Sequence, residues 1–328
     1  MAVPENHAAD PLTLYPRGIF PCRQCAAELP MQGAEPLQAA TCPACGASTL
    51  VPQKVDRFWL VEKLAVGGMS AVFKALHEQR PGRFFAVKLL PRDQRQNETL
   101  IGNLKREIAT MREIGFHPCI VNVAGSGYED GEYYMATDYV IGEGLDERII
   151  RLGPLSETEA LLMTMRMLAA ETHIYGRGCL YRDLKPENII LNRYNGACLC
   201  DFGICMRLED AARLDQGDQV QGSPLYMPPE RLLAEGEDAH SEIYSLGLVL
   251  YHALTSQPYF NAKAVQTVAK LHVDAYTEAE QVEKMRDIKP DVAVVLKRMI
   301  RRAPAARYQR FFEVERDIFK ILASRLYT

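Results

Sequence analysis

The sequence predicts an α+β protein in which a small cysteine-rich segment precedes a β-rich lobe and a larger helical lobe. Three observations support this fold class: eight prolines among residues 1–56, runs of β-branched and aromatic residues after residue 57, and mainly helical periodicity after Gly142. The chain has 328 residues, 48% of them hydrophobic and 24% charged. It is therefore long enough for two domains, and its composition excludes a disordered chain or a membrane bundle.

The β-rich lobe is predicted from three short runs between residues 57 and 90. FWLVEKL, AVFKALHE and RFFAVKLL are separated by Gly and Pro clusters, as in a small antiparallel sheet. Residues 99–114 then have apolar positions at helical spacing, and GEYYMATDYV returns to a strand pattern. This lobe is expected to be a small sheet with one helix.

The helical lobe has its clearest helix start at Ser156, which is followed by Glu159 at the spacing of a capping box. A second helix is predicted over about 242–254, where the apolar face is so wide that the helix must be buried. Further helical patterns cover about 291–301 and 311–324. No internal repeat interrupts this order.

Charge and cysteine usage limit the functional classes. The formal net charge is −4, which gives no basic field for nucleic acid, and no apolar run is long enough to span a bilayer. The nine cysteines are an odd number, which disfavours a complete set of disulfide bonds. The N-terminus lacks the basic start of a signal peptide. We expect a cytoplasmic protein without membrane or nucleic-acid partners.

Four of the nine cysteines form two CxxC pairs, Cys22 with Cys25 and Cys42 with Cys45, separated by sixteen residues. This spacing predicts a four-cysteine zinc ribbon in which two turns direct their thiolates at one tetrahedral Zn²⁺. Unpaired thiols in a flexible tail and a redox CxxC are the weaker alternatives. Acidic residues outnumber basic ones in residues 1–56, so a protein partner, or packing on the rest of the chain, is expected for the ribbon.

The chemistry of the larger part is indicated by one run, Tyr181-Arg182-Asp183-Leu184-Lys185-Pro186-Glu187-Asn188, with Asp201-Phe202-Gly203 after twelve intervening residues. On these residues the chain resembles the eukaryotic-like (Hanks-type) Ser/Thr protein kinases, over about residues 57–325. The resemblance implies a bilobal protein kinase fold with an N-lobe at 57–140 and a C-lobe at 141–325. A flexible N-terminus at 1–19 and the ribbon at 20–52 would precede it.

The resemblance implies that the chain transfers the γ-phosphate of ATP to Ser or Thr hydroxyls of protein substrates. Asp183 would orient the acceptor hydroxyl, and Lys185 would place a cation beside the transferring phosphate. Asn188 and Asp201 would supply oxygen ligands to Mg²⁺ or Mn²⁺. Positioning and charge neutralisation would carry most of this catalysis.

The resemblance also assigns a nucleotide site. Lys88, in Phe85-Ala86-Val87-Lys88, would hold the α- and β-phosphates and pair with Glu107. Thr137 takes the place of a small gatekeeper. The remaining residues expected at the nucleotide are Leu64, Gly67, Gly68, Val72, Ala86, Asp138, Val140 and Ile190. The glycine loop departs from the family, because Ala65 and Ser70 replace two of its three glycines.

Two further contacts follow from the resemblance. Glu230 and Arg307 would form a buried structural ion pair. Met111, Tyr181 and Phe202 would stack as an apolar spine.

Regulation is expected to depart from the family. The resemblance implies that a phosphate on the activation segment pairs with Arg182, yet residues 204–222 contain no Ser, Thr or Tyr. We predict that an acidic residue of this segment takes the place of the phosphate, the candidates being Glu209, Asp210, Asp215 and Asp218. Alternatively, these acids form only a solvated loop. Glu242, where the family has Asp, predicts a less rigid catalytic loop.

The main functional hypothesis is therefore a Ser/Thr protein kinase with a zinc-ribbon module for regulation or interaction. The alternative is a pseudokinase, a scaffold or nucleotide sensor whose ribbon binds a protein. The complete set of charged groups favours the kinase, whereas the altered glycine loop and Glu242 favour the pseudokinase.

Overall fold

The computed structural model describes residues 10–66, 70–90, 92–192, 196–213, 221–262, 264–274 and 278–326. They form two compact units, one of residues up to 108 with 122–139 and one of residues 109–121 with 140 onward. The first unit is rich in strands and the second is mainly helical, which confirms the predicted α+β class. None of the helices in these ranges is both long and apolar enough to cross a membrane.

The cysteine-rich segment consists of two short hairpins after a single helical turn. Its elements are α1 Pro11–Leu14, a 3-10 turn Tyr15–Arg17, β1 Ile19–Pro21, β2 Glu28–Pro30, β3 Ala39–Thr41 and β4 Ser48–Leu50. Strand β1 pairs antiparallel with β2, and β3 pairs antiparallel with β4. Each hairpin therefore places one CxxC pair in its turn.

The larger part of the first unit is a six-stranded antiparallel sheet in the order β5-β6-β7-β8-β10-β9. Its elements are β5 Gln53–Val55, β6 Phe58–Val66, β7 Ala71–His77, β8 Phe84–Leu89, a 3-10 turn Arg92–Gln94, α2 Glu98–Ile114, β9 Val123–Glu129 and β10 Glu132–Asp138. The side chains of Phe58, Leu60, Phe85 and Val87 are at most 2% exposed and form the core under this sheet. Alternation of inward apolar residues sets this register.

The segment before the hairpins differs from its prediction. Residues 10–17, expected to be flexible, form helical turns because Leu14 and Tyr15 are buried, and Asp10 caps α1 by accepting from the N–H of Leu12. Tyr15 packs against Trp59 of β6 with ring centroids 4.9 Å apart. The hairpins and the sheet thus share one apolar cluster, which contains Phe20, Leu29 and Trp59.

The second unit is built on the buried helix α7. Its elements are β11 Gly142–Gly144, α3 Leu145–Leu152, α4 Glu157–Gly176, β12 Cys179–Leu180, a 3-10 turn Pro186–Asn188, β13 Ile189–Asn192, β14 Ala197–Leu199, β15 Met206–Arg207, α5 Leu208–Ala211, α6 Pro229–Leu232, α7 Ala239–Thr255, α8 Val265–Val273, α9 Glu278–Lys284, α10 Pro290–Met299, a 3-10 turn Pro304–Ala306 and α11 Phe311–Arg325. The capping box of Ser156 and Glu159 begins α4, as predicted. Gly247 lets α10 approach α7, because a Cβ there would lie 2.7 Å from Ile300.

Candidate functional sites

The four N-terminal cysteines meet at one point. Their sulfur atoms all lie within 4.8 Å of one another. Cys22 and Cys45 are 3.6 Å apart and Cys25 and Cys42 are 3.7 Å apart, close to the edge of about 3.8 Å of a tetrahedron with Zn–S bonds of about 2.3 Å. The donor set and its geometry therefore fit a structural zinc ion.

The two hairpin turns bend the chain in the same way. The N–H of Ala26 donates to the carbonyl of Cys22, and the N–H of Gly46 donates to the carbonyl of Cys42. Backbone N–H groups of Cys25 and Gln24 lower the pKa of the Cys22 thiol to about 6. This lowering of the pKa favours the thiolate, the form of cysteine that binds metal.

The sheet of the first unit places a lysine and a glutamate in contact. The Nζ of Lys88 donates to both carboxylate oxygens of Glu107 at 3.0 and 2.9 Å, and Glu107 is buried. Val72 pairs with Lys88 across β7 and β8, and Ala86 is two residues before Lys88, so all three lie on one face of the sheet. Leu64 is exposed near the end of β6, while Gly67 and Gly68 lie outside the described residues.

Hydrogen bonds hold Thr137 and Asp138 at the end of β10. The Thr137 hydroxyl donates to the carbonyl of Ala86 at 3.4 Å, and its side chain is buried. The N–H of Asp138 donates to the carbonyl of Asn122 at 3.0 Å, so this N–H already has a partner. In the second unit, Val140 and Ile190 are half-buried.

The second unit gathers three polar side chains after β12. The Nζ of Lys185 donates to Oδ2 of Asp183 at 2.8 Å, and the amide nitrogen of Asn188 donates to the same oxygen at 2.7 Å and to the Asp183 carbonyl at 3.0 Å. Asp183 is only partly buried. Its carboxylate is therefore fixed in direction and accessible, as an acceptor for a hydroxyl proton requires.

Residues 200–203 continue this site. Asp201 is exposed and has a left-handed φ of +61°, a conformation that non-glycine residues seldom adopt. The Tyr181 hydroxyl donates to the carbonyl of Cys200 at 2.5 Å, and the Tyr181 and Phe202 rings are 5.0 Å apart. These two predicted spine residues are therefore in contact, and Met111 is buried.

The predicted partner of Arg182 is corrected by the structure. Glu209 and Asp210 are exposed, while Asp215 and Asp218 lie outside the described residues. Arg182 pairs instead with Glu237, at 2.8 Å from Nη2 to Oε1. The sequence analysis missed Glu237, because an acidic residue between Gly236 and Asp238 has no local pattern that distinguishes it from a residue of a solvated turn.

Glu242 holds the loop that contains Asp183, although its side chain is one methylene group longer than the Asp of the family. Its Oε1 accepts from the N–H of Arg182 at 2.8 Å, and its side chain is buried. Burial raises the pKa of Glu242 to about 7. This contact does not support the expectation that Glu242 makes the loop less rigid.

The Lys88–Glu107 pair of the first unit and the three side chains around Asp183 in the second unit are the charged groups that the resemblance to protein kinases predicts. The sequence profile of the protein kinase domain matches residues 58–317. The chain therefore belongs to the protein kinase family.

Several bacterial proteins that are named as serine/threonine-protein kinases are similar to this chain. A probable serine/threonine-protein kinase of Clostridium perfringens is 30% identical over 81% of this chain and 38% of its own length. Serine/threonine-protein kinase PknB of Mycobacterium leprae is 30% identical over 83% of this chain and 44% of its own. A probable serine/threonine-protein kinase of Streptomyces coelicolor is 34% identical over 80% and 39%. The chain thus spans about two fifths of the length of these relatives.

Proposed function

We propose that the chain is a protein serine/threonine kinase that transfers the γ-phosphate of ATP to Ser or Thr hydroxyls of protein substrates. The observation that carries this proposal is the convergence of Lys185 and Asn188 on one oxygen of Asp183. A carboxylate held in this way orients an acceptor hydroxyl, and Lys185 supplies positive charge where the phosphate oxygens gain negative charge.

We propose that Asn188 and Asp201 hold Mg²⁺ or Mn²⁺. The amide nitrogen of Asn188 makes both bonds to Asp183, so the amide oxygen is the polar atom that remains for a cation. The Asp201 carboxylate is a second hard oxygen donor. When bound, the metal supplies charge neutralisation at the phosphates.

Lys88 is proposed to bind the α- and β-phosphates, with Glu107 fixing its direction. Leu64, Val72, Ala86 and Ile190 would contact the base through apolar surface, and backbone groups of Asp138 and Val140 would recognise its edge. Gly67 and Gly68 are proposed to cover the phosphates. The family resemblance and the shared sheet face of Val72, Ala86 and Lys88 support these roles.

The division of the chain is proposed as a zinc ribbon at 20–52 and a kinase domain at 57–325. Its support is the four-sulfur cluster and the match over residues 58–317. We also propose a protein partner for the ribbon and a cytoplasmic location, on the sequence features alone.

The test uses labelled ATP and a generic basic protein, followed by identification of the phosphorylated amino acids. Wild type is expected to label Ser and Thr, Asp183→Asn to lose the label, and Glu187→Gln, an exposed control in the same loop, to keep it. ATP binding without transfer by wild type would favour the pseudokinase. Label on a small molecule but not on protein would contradict the proposed substrate class.

A further inference from the structure

Three charged side chains form a buried cluster beside the catalytic loop. The side chain of Glu237 is 0% exposed, and those of Arg182 and Arg231 are 3% exposed. Oε1 of Glu237 accepts from Nε of Arg182 at 3.1 Å, and Oε2 accepts from Nε and Nη2 of Arg231 at 2.8 and 2.6 Å. Each carboxylate oxygen is therefore used by one guanidinium group.

Arg182, the residue before Asp183, is held at its backbone and its side chain by this cluster and by Glu242. Nη1 of Arg231 donates to the Arg182 carbonyl at 2.6 Å, while the Arg182 N–H donates to Glu242 at 2.8 Å. Arg182 also has a left-handed φ of +70°. Such a conformation persists in a non-glycine residue where several contacts impose it. The direction of Asp183 thus depends on the contacts of Arg182.

The cluster also touches both ends of the activation segment. The backbone N–H of Glu237 donates to the carbonyl of Ala211 in α5, and Nη1 of Arg231 lies 3.5 Å from the carbonyl of Gln221. Nη1 of Arg182 contacts the sulfur of Met206 at 3.3 Å. Glu237 therefore contacts the segment through its backbone, while its carboxylate binds the two arginines whose side chains also contact the segment.

The burial of Arg182 leaves no cationic surface for a phosphate. Its guanidinium is enclosed by Glu237 and Met206, and residues 204–222 contain no Ser, Thr or Tyr to phosphorylate. The negative charge that Arg182 needs is already present in the folded chain. Such a buried cluster adds little net stability, because desolvation of the three charges offsets their attraction.

We propose that Glu237 is a positioning residue that holds Arg182, and through it Asp183, in the orientation for phosphate transfer without phosphorylation of the activation segment. Arg231 completes the cluster, because it binds the second oxygen of Glu237 and the carbonyl of Arg182. The inference rests on the proposed kinase activity.

The test compares Glu237→Gln with Glu235→Gln, a matched exposed control two residues away. The kcat and the KM for ATP are measured together with the thermal unfolding midpoint. Glu237→Gln is expected to lower kcat by roughly 10- to 100-fold with little change in KM, because misplacement of a catalytic group costs about that much. Glu237→Asp, which keeps the charge, is expected to recover part of the kcat.

Removal of the carboxylate alone leaves two buried arginines without its negative charge, which can unfold the chain. A second variant therefore separates a loss of activity from a loss of the fold. Arg182→Met, Glu237→Leu and Arg231→Met combined remove the whole cluster, and replacement of such triads by apolar residues is often tolerated. This variant is expected to fold and to show the same loss of kcat. A folded single or triple variant with wild-type kcat would overturn the proposal.

Phosphatase treatment of the wild-type chain gives an independent measurement. Unchanged activity is expected, because residues 204–222 contain no Ser, Thr or Tyr. Loss of activity that returns on rephosphorylation would show that a phosphate elsewhere is required and that Glu237 does not suffice, which would overturn the proposal even if both variants unfold. A wild-type chain with no phosphate transfer would instead contradict the proposed function, so the two failures are distinguishable.

Discussion

Arg307 donates to both carboxylate oxygens of Glu230, at 2.7 and 2.9 Å, although the two residues are 77 positions apart. Both side chains are at most 1% exposed. The remaining guanidinium hydrogens bind the carbonyls of His240, Arg301 and Arg302. The predicted structural ion pair is thus present, with the hydrogen-bonding groups of its arginine satisfied.

Loss of this pair is expected to destabilise the second unit strongly. Arg307→Met would leave the Glu230 carboxylate buried without its counter-charge, which costs about 3–5 kcal/mol. The thermal unfolding midpoint measures the effect, and Arg301→Met, at an exposed position, is the control. Equal midpoints for the two variants would show that the pair does not hold this unit together.

Removal of the metal is expected to disturb the sheet as well as the hairpins. Trp59 is the chain's one tryptophan, lies in the apolar cluster shared with the hairpins, and donates from Nε1 to Glu78 at 3.0 Å. A zinc chelator should therefore shift tryptophan fluorescence to longer wavelength and lower the unfolding midpoint. Added zinc should reverse both changes.

Single substitutions test the same coupling. Cys42→Ser should lose the metal and reproduce the effect of the chelator, whereas Cys119→Ser, at a cysteine outside the hairpins, should keep one zinc per chain. Metal content is read by atomic absorption. A chelator that strips zinc without any change at Trp59 would show that the hairpins and the sheet fold independently.

Two buried glutamates predict that stability depends on pH. Burial, and then repulsion from Glu242, raise the pKa of Glu171 well above its ordinary value. Oε1 of Glu171 and Oε2 of Glu242 have no hydrogen-bond partner among the described residues. A raised pKa means that the folded chain binds a proton that the unfolded chain releases, so stability falls as pH rises from about 4.3 towards the folded pKa.

Glu171→Gln removes this dependence because its side chain is neutral in both states. Its stability advantage over wild type is expected to grow with pH, by up to about 1.4 kcal/mol per pH unit over the window between the unfolded and folded pKa values. Unfolding midpoints at about pH 5 and about pH 8 measure it. The same advantage at both pH values would mean that Glu171 carries no shifted proton.

The small side chain of Thr137 predicts sensitivity to bulky ATP-competitive inhibitors. Thr137 is buried at the end of β10, and a longer side chain there would compete for space with a bulky group of a bound inhibitor. Thr137→Met is expected to weaken such inhibitors about tenfold or more, since overpacking costs about 1–3 kcal/mol. Thr137→Ser should keep their potency. Equal potency on wild type and on Thr137→Met would contradict the prediction.

Regular elements were predictable where apolar spacing alone decides them. The strands β6 to β8, the helices α2 and α7, and the start of α4 at Ser156 follow from local pattern. Strand β5 and helix α1 were missed, because their stability comes from pairing with β6 and from packing against Trp59. Contacts of this kind leave no periodicity in so few residues.

The grouping of Asp183, Lys185 and Asn188 was predictable, because the chemistry of the proposed site restricts both residue type and spacing. The partner of Arg182 was not, because Glu237 is 55 residues away and any acidic residue that reaches Arg182 satisfies the same charge. Only the fold decides which one does.

The rate of phosphate transfer to protein Ser and Thr by wild type and Asp183→Asn, with ATP binding measured on both, tests the central claim most directly. Wild type is predicted to transfer phosphate, and Asp183→Asn to bind ATP with similar affinity while losing about 100-fold or more in rate. ATP binding by both proteins with transfer by neither, or equal transfer by both, would contradict the account.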